Sequence, residues 1–468
     1  MIKNSYLDLP SHFYELNNPE IFNNPKLIKF NYDLASQLGF ECEDISEKDL
    51  VQFFSGQKFF PSCVPFSQPY AGHQFGHFVP LLGDGRAHHL GEINGYDVQL
   101  KGSGRTKFSR RGDGKSAFGP VLREYLMSEA MHALAIPTTR SLCAIASGEN
   151  VHRQDGLEPG GVFTRVAKSH LRVGSFQYFS FRKDWDSLLI LLDYALGRHF
   201  PDLLKLSNTQ EKIIEFLKIV ASKQAELVTN WSSIGFIHGV MNTDNCSVGG
   251  HTIDYGPCAF MDEFSAEKVF SSIDRNSRYS FFNQVPMVGW NIARLAECFV
   301  PILDKNTTSS IELIKSELDP IISSIAQLRF EKFGKKLGIK DYKISDNNLI
   351  LIFLKYLENN ALDFTISFRN LPRLYKGDFL GYPEDPMREK FLSIWKARVE
   401  SLEDLNEINP AFIPRNHMIQ KCINEAYDGS YKLFHEFNNA LKTPFKENQK
   451  FMLPPETHER VSQTFCGT

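Results

Sequence analysis

The segment "IHGVMNTDNCSVGGHTIDYGP", residues 237–257, gathers His238, Asn242, Asp244, Asn245 and Asp254 between apolar flanks. Carboxylates and amides this close together suit two kinds of chemistry. Asn245 and Asp254 offer oxygen donors of the kind magnesium takes, an ion that keeps waters and substrate phosphates in the rest of its shell. Asp244, if it is not a ligand, can take a proton as a general base. The plain alternatives are structural: Asp254 opening a β-turn in "DYGP", and Asp244 closing an Asx-turn.

The order of these residues resembles the protein-kinase pattern, in which H-R-D-x-x-x-x-N precedes D-F-G. His238 and Asn245 fall on the His and the Asn, but the position of the catalytic Asp holds Val240. Valine takes no proton, so Asp244 is the carboxylate left in that loop. Upstream, Lys101 ends the strand-like "VQLKGSG", and Glu124 lies in "LREYLMSEA" on the helix that follows. Strand Lys, helix Glu, loop Asn and metal Asp then occur in the kinase order. Glu129, further along the same helix, competes with Glu124, and position favours Glu124.

The glycine-rich stretches depart from that pattern. No G-x-G-x-x-G-x-V precedes Lys101, and no G-x-x-x-x-G-K-[ST] is present. Instead "GDGR" at 83–86 precedes the Lys and "KGSGRTKFSRRGDGK" contains it and runs on. Glycine backbones let N–H groups come close to phosphate, and Arg86, Arg105, Arg110 and Arg111 add positive charge. Arg165 and Arg172, in "FTRVAKSHLRVG", form a second basic group.

The elements that must position these residues can be read from periodicity. "HHLGEI" and "DVQLKG" alternate as strands, and "PVLREYLMSEAMHALAI" carries apolar residues at helical spacing and ends at "IPTT". Residues 1–60 mix short apolar patches with turns, and "GGVFTRVAKSHLRVGSFQYF" reads as strand and turn. From about residue 185, "DSLLILLDYALGRHF", "TQEKIIEFLKIVASKQAELVTNW" and later segments to about 445 read as helices, interrupted by the polar 237–257 loop with a hairpin-like "CSVGGHTI". The expected fold is α+β, a kinase-like two-lobed arrangement with nucleotide between the lobes. Residues 1–180 would form an N-terminal extension and strand-rich nucleotide-binding lobe. Residues 181–468 would form a helical lobe with the catalytic loop and a C-terminal helical extension.

A chain of 468 residues with net charge -3 and 42% hydrophobic content can bury a large core, and it shows no general attraction to nucleic acid or anionic membrane. The polar, acid-bearing N-terminus does not read as a secretory signal, and no apolar run has the length of a membrane span. A cytoplasmic location is expected, with no membrane and no nucleic-acid partner. The eight cysteines lack C-x-x-C pairs, which argues against a zinc site and a disulfide scaffold. Cys466, in the terminal "FCGT", is the thiol to watch.

Longer motifs carry a more specific likeness. "YAGHQFGHFVPLLGDGRAHHLGE", "QLKGSGRTKFSRRGDGKSAFGPVLREYLMSEAMHALAIPTTR", "TRVAKSHLRVGSFQYF", "FIHGVMNTDNCSVGGHTIDYGPCAFMDEF", "SSIDRNSRYSFFNQ" and "FCGT" resemble the selenoprotein O family, called YdiU in bacteria. The likeness runs over about residues 60–300 and returns at the last residues. It implies a pseudokinase that binds ATP inverted and, with magnesium or manganese, moves AMP onto Ser, Thr or Tyr hydroxyls of protein substrates. By motif, Asp244 would be the base, and Asn245 and Asp254 the metal ligands. Lys101 would contact phosphate and pair with Glu124. Gly83, Gly85, Arg86, Asp113, Gly114, Arg165 and Arg172 would line the nucleotide. The likeness also implies that Cys466 joins a regulatory disulfide; Cys258 is its nearest candidate partner by motif.

Rival readings are UMP transfer from UTP with manganese, a protein or small-molecule kinase using Asp244 as a relocated base, and a catalytically dead ATP-binding module. Lys101, Asp244, Asn245 and Asp254 together speak against the dead module. Val240 and the missing glycine-rich cover speak against the kinase. Nothing in the chain fixes the choice of base, the protein targets or the oligomeric state.

Overall fold

In Tyr96–Lys101, Val98 and Leu100 alternate with Asp97, Gln99 and Lys101, so the strand has one apolar and one polar face. The computed structural model describes residues 3–42, 44–153 and 156–465. Tyr96–Lys101 lies near the middle of an eight-stranded antiparallel sheet. Ala87–Ile93 flanks it on one side and Gly156–Ala167 on the other, followed by Arg140–Arg153 and Lys26–Phe30.

The apolar face carries Leu90, Val98, Leu100, Ile145, Val162 and Val166. They pack with Phe30, Leu34, Phe53 and Phe54 from the strand Lys26–Phe30 and from the helices Tyr32–Gln37 and Glu47–Phe54. Each such fully buried side chain stabilises the fold by about 1.5–3 kcal/mol. These two short helices lie within residues 1–60, where sequence shows only apolar patches and turns.

The helix expected after Lys101 is Phe118–Ala133, which packs on Arg140–Arg153 and Gly156–Ala167. It is buried on more than one side. Helices Asn416–Tyr427 and Lys432–Leu441 return from late in the chain to cover it, placing Ile419, Cys422 and Phe434 in one core with Val121, Leu122 and Tyr125. The helical region between them includes Trp185–His199, Thr209–Ser233, Gln284–Ala296, Thr307–Lys336 and Asp346–Asn359. The whole is therefore an α+β fold with a strand-rich and a helical region. Among the described residues, no helix is long and apolar enough to cross a membrane.

Two local expectations differ from the structure. Val173–Phe181, read as strand and turn, is a helix; at its start Ser175 Oγ accepts from the Arg172 N–H at 3.2 Å, and Val173, Phe176 and Phe179 are buried. Tertiary packing overrides the weak helix propensity of its aromatic residues. The arms of "CSVGGHTI" do not pair with each other. Ser247 bridges to Arg172, and Thr252 bridges to Thr138.

Candidate active site

The catalytic-loop candidate leaves strand Phe236–Ile237, which pairs with Ala259–Phe260. His238 fixes the loop from within: its Nε2 lies 2.9 Å from the carbonyl of Ile253, just before Asp254, and its ring stacks on Trp231. Val240 is buried, and its carbonyl accepts a bond from Asn245 Nδ2 at 3.0 Å. That bond turns the oxygen of the Asn245 amide away from Val240. A short 3-10 turn, Thr243–Asn245, then places Asp244 and Asn245 at the wall of an open space.

That space is a cleft of about 1130 Å³, large against the roughly 300–1,000 Å³ of ordinary ligand pockets. Its lining includes Gly83, Gly85, Arg86, Lys101, Asp113, Gly114, Arg165, Arg172, Asp244, Asn245 and Asp254. Residues read from four separate stretches of sequence thus meet at one place. Arg110 and Arg111 also line it. Glu124 stands behind Lys101 and outside the lining: Lys101 Nζ donates to Glu124 Oε2 at 2.8 Å and to Asp254 Oδ1 at 2.6 Å. Glu129, the competing acid, instead takes both Arg140 Nε and Nη2 at 2.9 Å.

The glycine loops support one another. Gly83 adopts φ +71°, and a Cβ there would fall 2.3 Å from Phe108 Cγ. Gly114 adopts φ +70°, and its Cβ would lie 2.2 Å from the carbonyl carbon of Gly104. Neither position admits a side chain, so the two loops close against each other at the edge of the cleft. Asp113 also lies there, with its carboxylate bonded to Arg153 at 2.9 Å and to the Lys115 N–H at 3.0 Å.

Two of the carboxylates lining the cleft, Asp254 and Asp244, have opposite surroundings. Asp254, itself in the left-handed region at φ +62°, receives Lys101 and Arg165 at 2.6 Å each on Oδ1, and Arg172 at 3.4 Å on Oδ2. Burial alone would raise its pKa, but Arg165, Lys101 and Arg172 outweigh burial and hold the carboxyl well below its usual range. Asp244 has no such cluster. Burial pushes it up to about 6, against weaker opposing pulls from its own backbone N–H, Arg172 and Gln74. Its Oδ1 is buried without a hydrogen-bond partner among the described residues, and Gln74 Nε2 reaches its Oδ2 at 3.4 Å.

Sequence reading passed over the residues that hold this arrangement. Hairpin Gly72–Gln74 and His77–Val79 folds over the loop. His73 N donates to Thr243 Oγ1 at 2.7 Å and Phe75 N donates to Asn242 Oδ1 at 3.0 Å. Tyr70 stacks under the Arg172 guanidinium at 4.4 Å. Asp84 and Gln99 sit behind the arginines. A signal for Gln99 was present: alternation in "DVQLK" puts it on the face of Lys101.

Asp254 and Asn245 offer oxygen donors of the kind that magnesium or manganese takes. The Asp254 Oδ2 edge, approached only at 3.4 Å by Arg172, is the less crowded of its two oxygens. Away from the cleft, His89, Asp97 and His170 bring ligand-type atoms within 4.8 Å of one another. Asp97 and His89 are already engaged, while His170 Nε2 is buried without a hydrogen-bond partner among the described residues. Arg198 donates to Asp97 Oδ1 at 2.6 Å, and His89 Nε2 lies 3.1 Å from Asp84 Oδ2. Cys258 is buried, which pushes its thiol up to about 12; Cys466 lies outside the described residues.

With this geometry, the family comparison is informative. The family model described as protein adenylyltransferase SelO matches residues 2–442. The chain belongs to the SelO family. Relatives named protein nucleotidyltransferase YdiU are 46% identical in Agrobacterium fabrum, over 99% of this chain and 99% of the relative. In Rhizobium rhizogenes the identity is 44%, over 99% and 96%, and in Rhodopseudomonas palustris 44%, over 99% and 98%. Family membership makes this SelO chain a nucleotidyltransferase, of the protein adenylyltransferase type, with ATP as its co-substrate.

Proposed function

We propose that the protein transfers AMP from ATP to Ser, Thr or Tyr hydroxyls of protein substrates, with ATP inverted relative to an ordinary kinase. The observation that carries this reading is the division of charge in the cleft. Lys101, Arg165 and Arg172 gather at Asp254, while Asp244, with one unpartnered oxygen, faces the same space. The cations suit a triphosphate tail and a departing pyrophosphate; Asp244 suits the attacking hydroxyl.

In this mechanism the substrate hydroxyl gives its proton to Asp244 as its oxygen bonds the α-phosphorus. The bond from that phosphorus to the bridging oxygen of the β-phosphate breaks, and pyrophosphate leaves toward Lys101, Arg165 and Arg172. A carboxylate with a pKa near 6 is mostly ionised at neutral pH and still a competent proton acceptor. Gln74 orients it. Gly83, Gly85, Arg86, Asp113 and Gly114 line the nucleotide, and Glu124 holds Lys101 in place. Magnesium or manganese, held by Asn245 and Asp254, would neutralise charge on the phosphates. The two-lobed, kinase-like division at about residues 180/181 and a cytoplasmic location belong to the same reading.

Isotope placement tests it. With a protein substrate or by self-modification, label on the α-phosphate of ATP should stay with protein, and γ-label should leave as pyrophosphate. Retained γ-label would instead make the protein a kinase. UTP labelled at its α-phosphate, run in parallel with manganese, reports whether UMP is transferred in place of AMP.

A further inference from the structure

Gln99 lies directly across from His89 on one neighbouring strand and from Arg165 on the other. Beyond His89 the row continues to Phe66, whose ring stacks on the imidazole at 4.8 Å. A one-residue slip of register would turn every member of such a row to the opposite face, so the row is set by the sheet itself. Gln99, His89 and Arg165 are each no more than 1% exposed. Gln99 and His89 do not line the cleft.

Polar contacts surround this row. Arg165 Nε donates to Gln99 Oε1 at 2.7 Å. Gln99 Nε2 lies 2.7 Å from His89 Nε2, which lies 3.1 Å from Asp84 Oδ2. Asp84 Oδ1 accepts from Arg172 Nη1 at 3.3 Å, and Gln68 N anchors Oδ2 at 3.0 Å. Arg165 and Arg172 then both reach Asp254.

A guanidinium that grips phosphate needs a fixed plane and an uncancelled charge. A carboxylate on its Nε would fix the plane but offset the charge. The neutral amide of Gln99 fixes the plane of Arg165 without adding a further carboxylate to those of Asp254 and Glu124 on Nη1. We propose that Gln99 is a positioning residue for nucleotide transfer. It acts through Arg165 on the triphosphate tail; His89 Nε2, as an acceptor, holds the Gln99 amide, and Asp84 separately holds Arg172. This rests on the reading that Arg165 contacts that tail.

The test is titration calorimetry of the full chain with ATP, pyrophosphate and AMP. Gln99→Met keeps side-chain length but offers no strong acceptor. ATP and pyrophosphate affinities should fall by about tenfold or more, the consequence of losing one hydrogen bond to a charged group, while AMP affinity stays unchanged. In an Arg165→Met background the same change should add nothing, as expected when two residues act through one contact. Full ATP affinity in Gln99→Met, or an additional loss in the double variant, overturns the proposal. Arg165→Met alone reports on the underlying reading. If it leaves pyrophosphate affinity unchanged, the tail assignment fails. If it weakens pyrophosphate while Gln99→Met does not, only the positioning role fails. Should Gln99→Met not fold, Gln99→Glu decides. It keeps the shape and acceptor but offsets the Arg165 charge, so ATP should weaken at constant AMP affinity, and unaltered ATP affinity refutes the role.

Discussion

Asp254 and Asp244 face the same cleft but are held in opposite ways. Around Asp254, strand residues Lys101 and Arg165 and Arg172 at a helix start supply positive charge, and Glu124 braces Lys101 and also reaches Arg165 at 3.5 Å. Around Asp244, the supports are backbone and amide groups: Gln74, Asn242 and Thr243, with a neutral hairpin above. The difference is that of an acid kept ionised under all ordinary conditions and one poised to exchange a proton. Two carboxylates pushed apart in pKa by their surroundings are the signature of divided labour in a site.

The largest effect should come from Asp254→Ala. It removes a metal-ligand candidate and leaves three cations facing one another. Transfer should become undetectable, and titration with ATP and magnesium should show metal-dependent binding lost. Persistent metal-dependent binding would erase the distinction between the two acids.

Asp244→Asn should spare binding and strike chemistry. A positioned base contributes roughly 10²–10⁴-fold, so kcat should drop by that order while ATP affinity stays as in the parent chain. Equal losses in binding and turnover would show that Asp244 belongs with the phosphate-holding group.

Gln74→Met sharpens the comparison from the side of Asp244. The contact is long, at 3.4 Å, so kcat should fall by no more than about tenfold, with little change in ATP affinity. Steady-state kinetics would separate the two.

The smallest effect on activity is expected for Glu129→Gln. Glu129 ties Arg140, Ser141 and Asn31 together away from the cleft. Denaturant unfolding should show a loss of about 1–3 kcal/mol, with turnover retained. Lost turnover would make Glu129, and not Glu124, the acid that matters.

The cleft residues were legible because each sits in a local pattern: a glycine turn, a strand end, a polar loop. Lys101 and Gln99 show how far such patterns reach. Both share one strand face, but Lys101 adjoins a glycine turn, whereas alternation places Gln99 on that face without showing what it holds there. Its meaning comes from His89 and Arg165, which only sheet register brings alongside. Val173–Phe181 was misread for the same reason: buried neighbours, not its own composition, decide that it is helical. Helices 32–37 and 47–54 were missed because they are short and rest on the far face of the sheet.

The helices that return late in the chain have a bearing on when the protein can first work. Glu124 lies on Phe118–Ala133, and that helix is held by Tyr427, whose hydroxyl accepts from the Gly119 N–H at 3.3 Å and donates to Glu158 at 2.8 Å. Arg123, beside Glu124, reaches the Cys258 carbonyl at 3.1 Å and Asn416 at 3.5 Å. Every cleft-lining residue has been synthesised well before residues 416–441 leave the ribosome. A nascent chain would therefore carry all its reactive groups, Glu124 among them, while the support of the Glu124 helix was still missing. The expected consequence is a built-in delay: chains arrested after residue 415 should show little nucleotidyl transfer in a pulse with α-labelled ATP. Arrested chains as active as the finished protein would show that the late helices stabilise the fold without setting its timing.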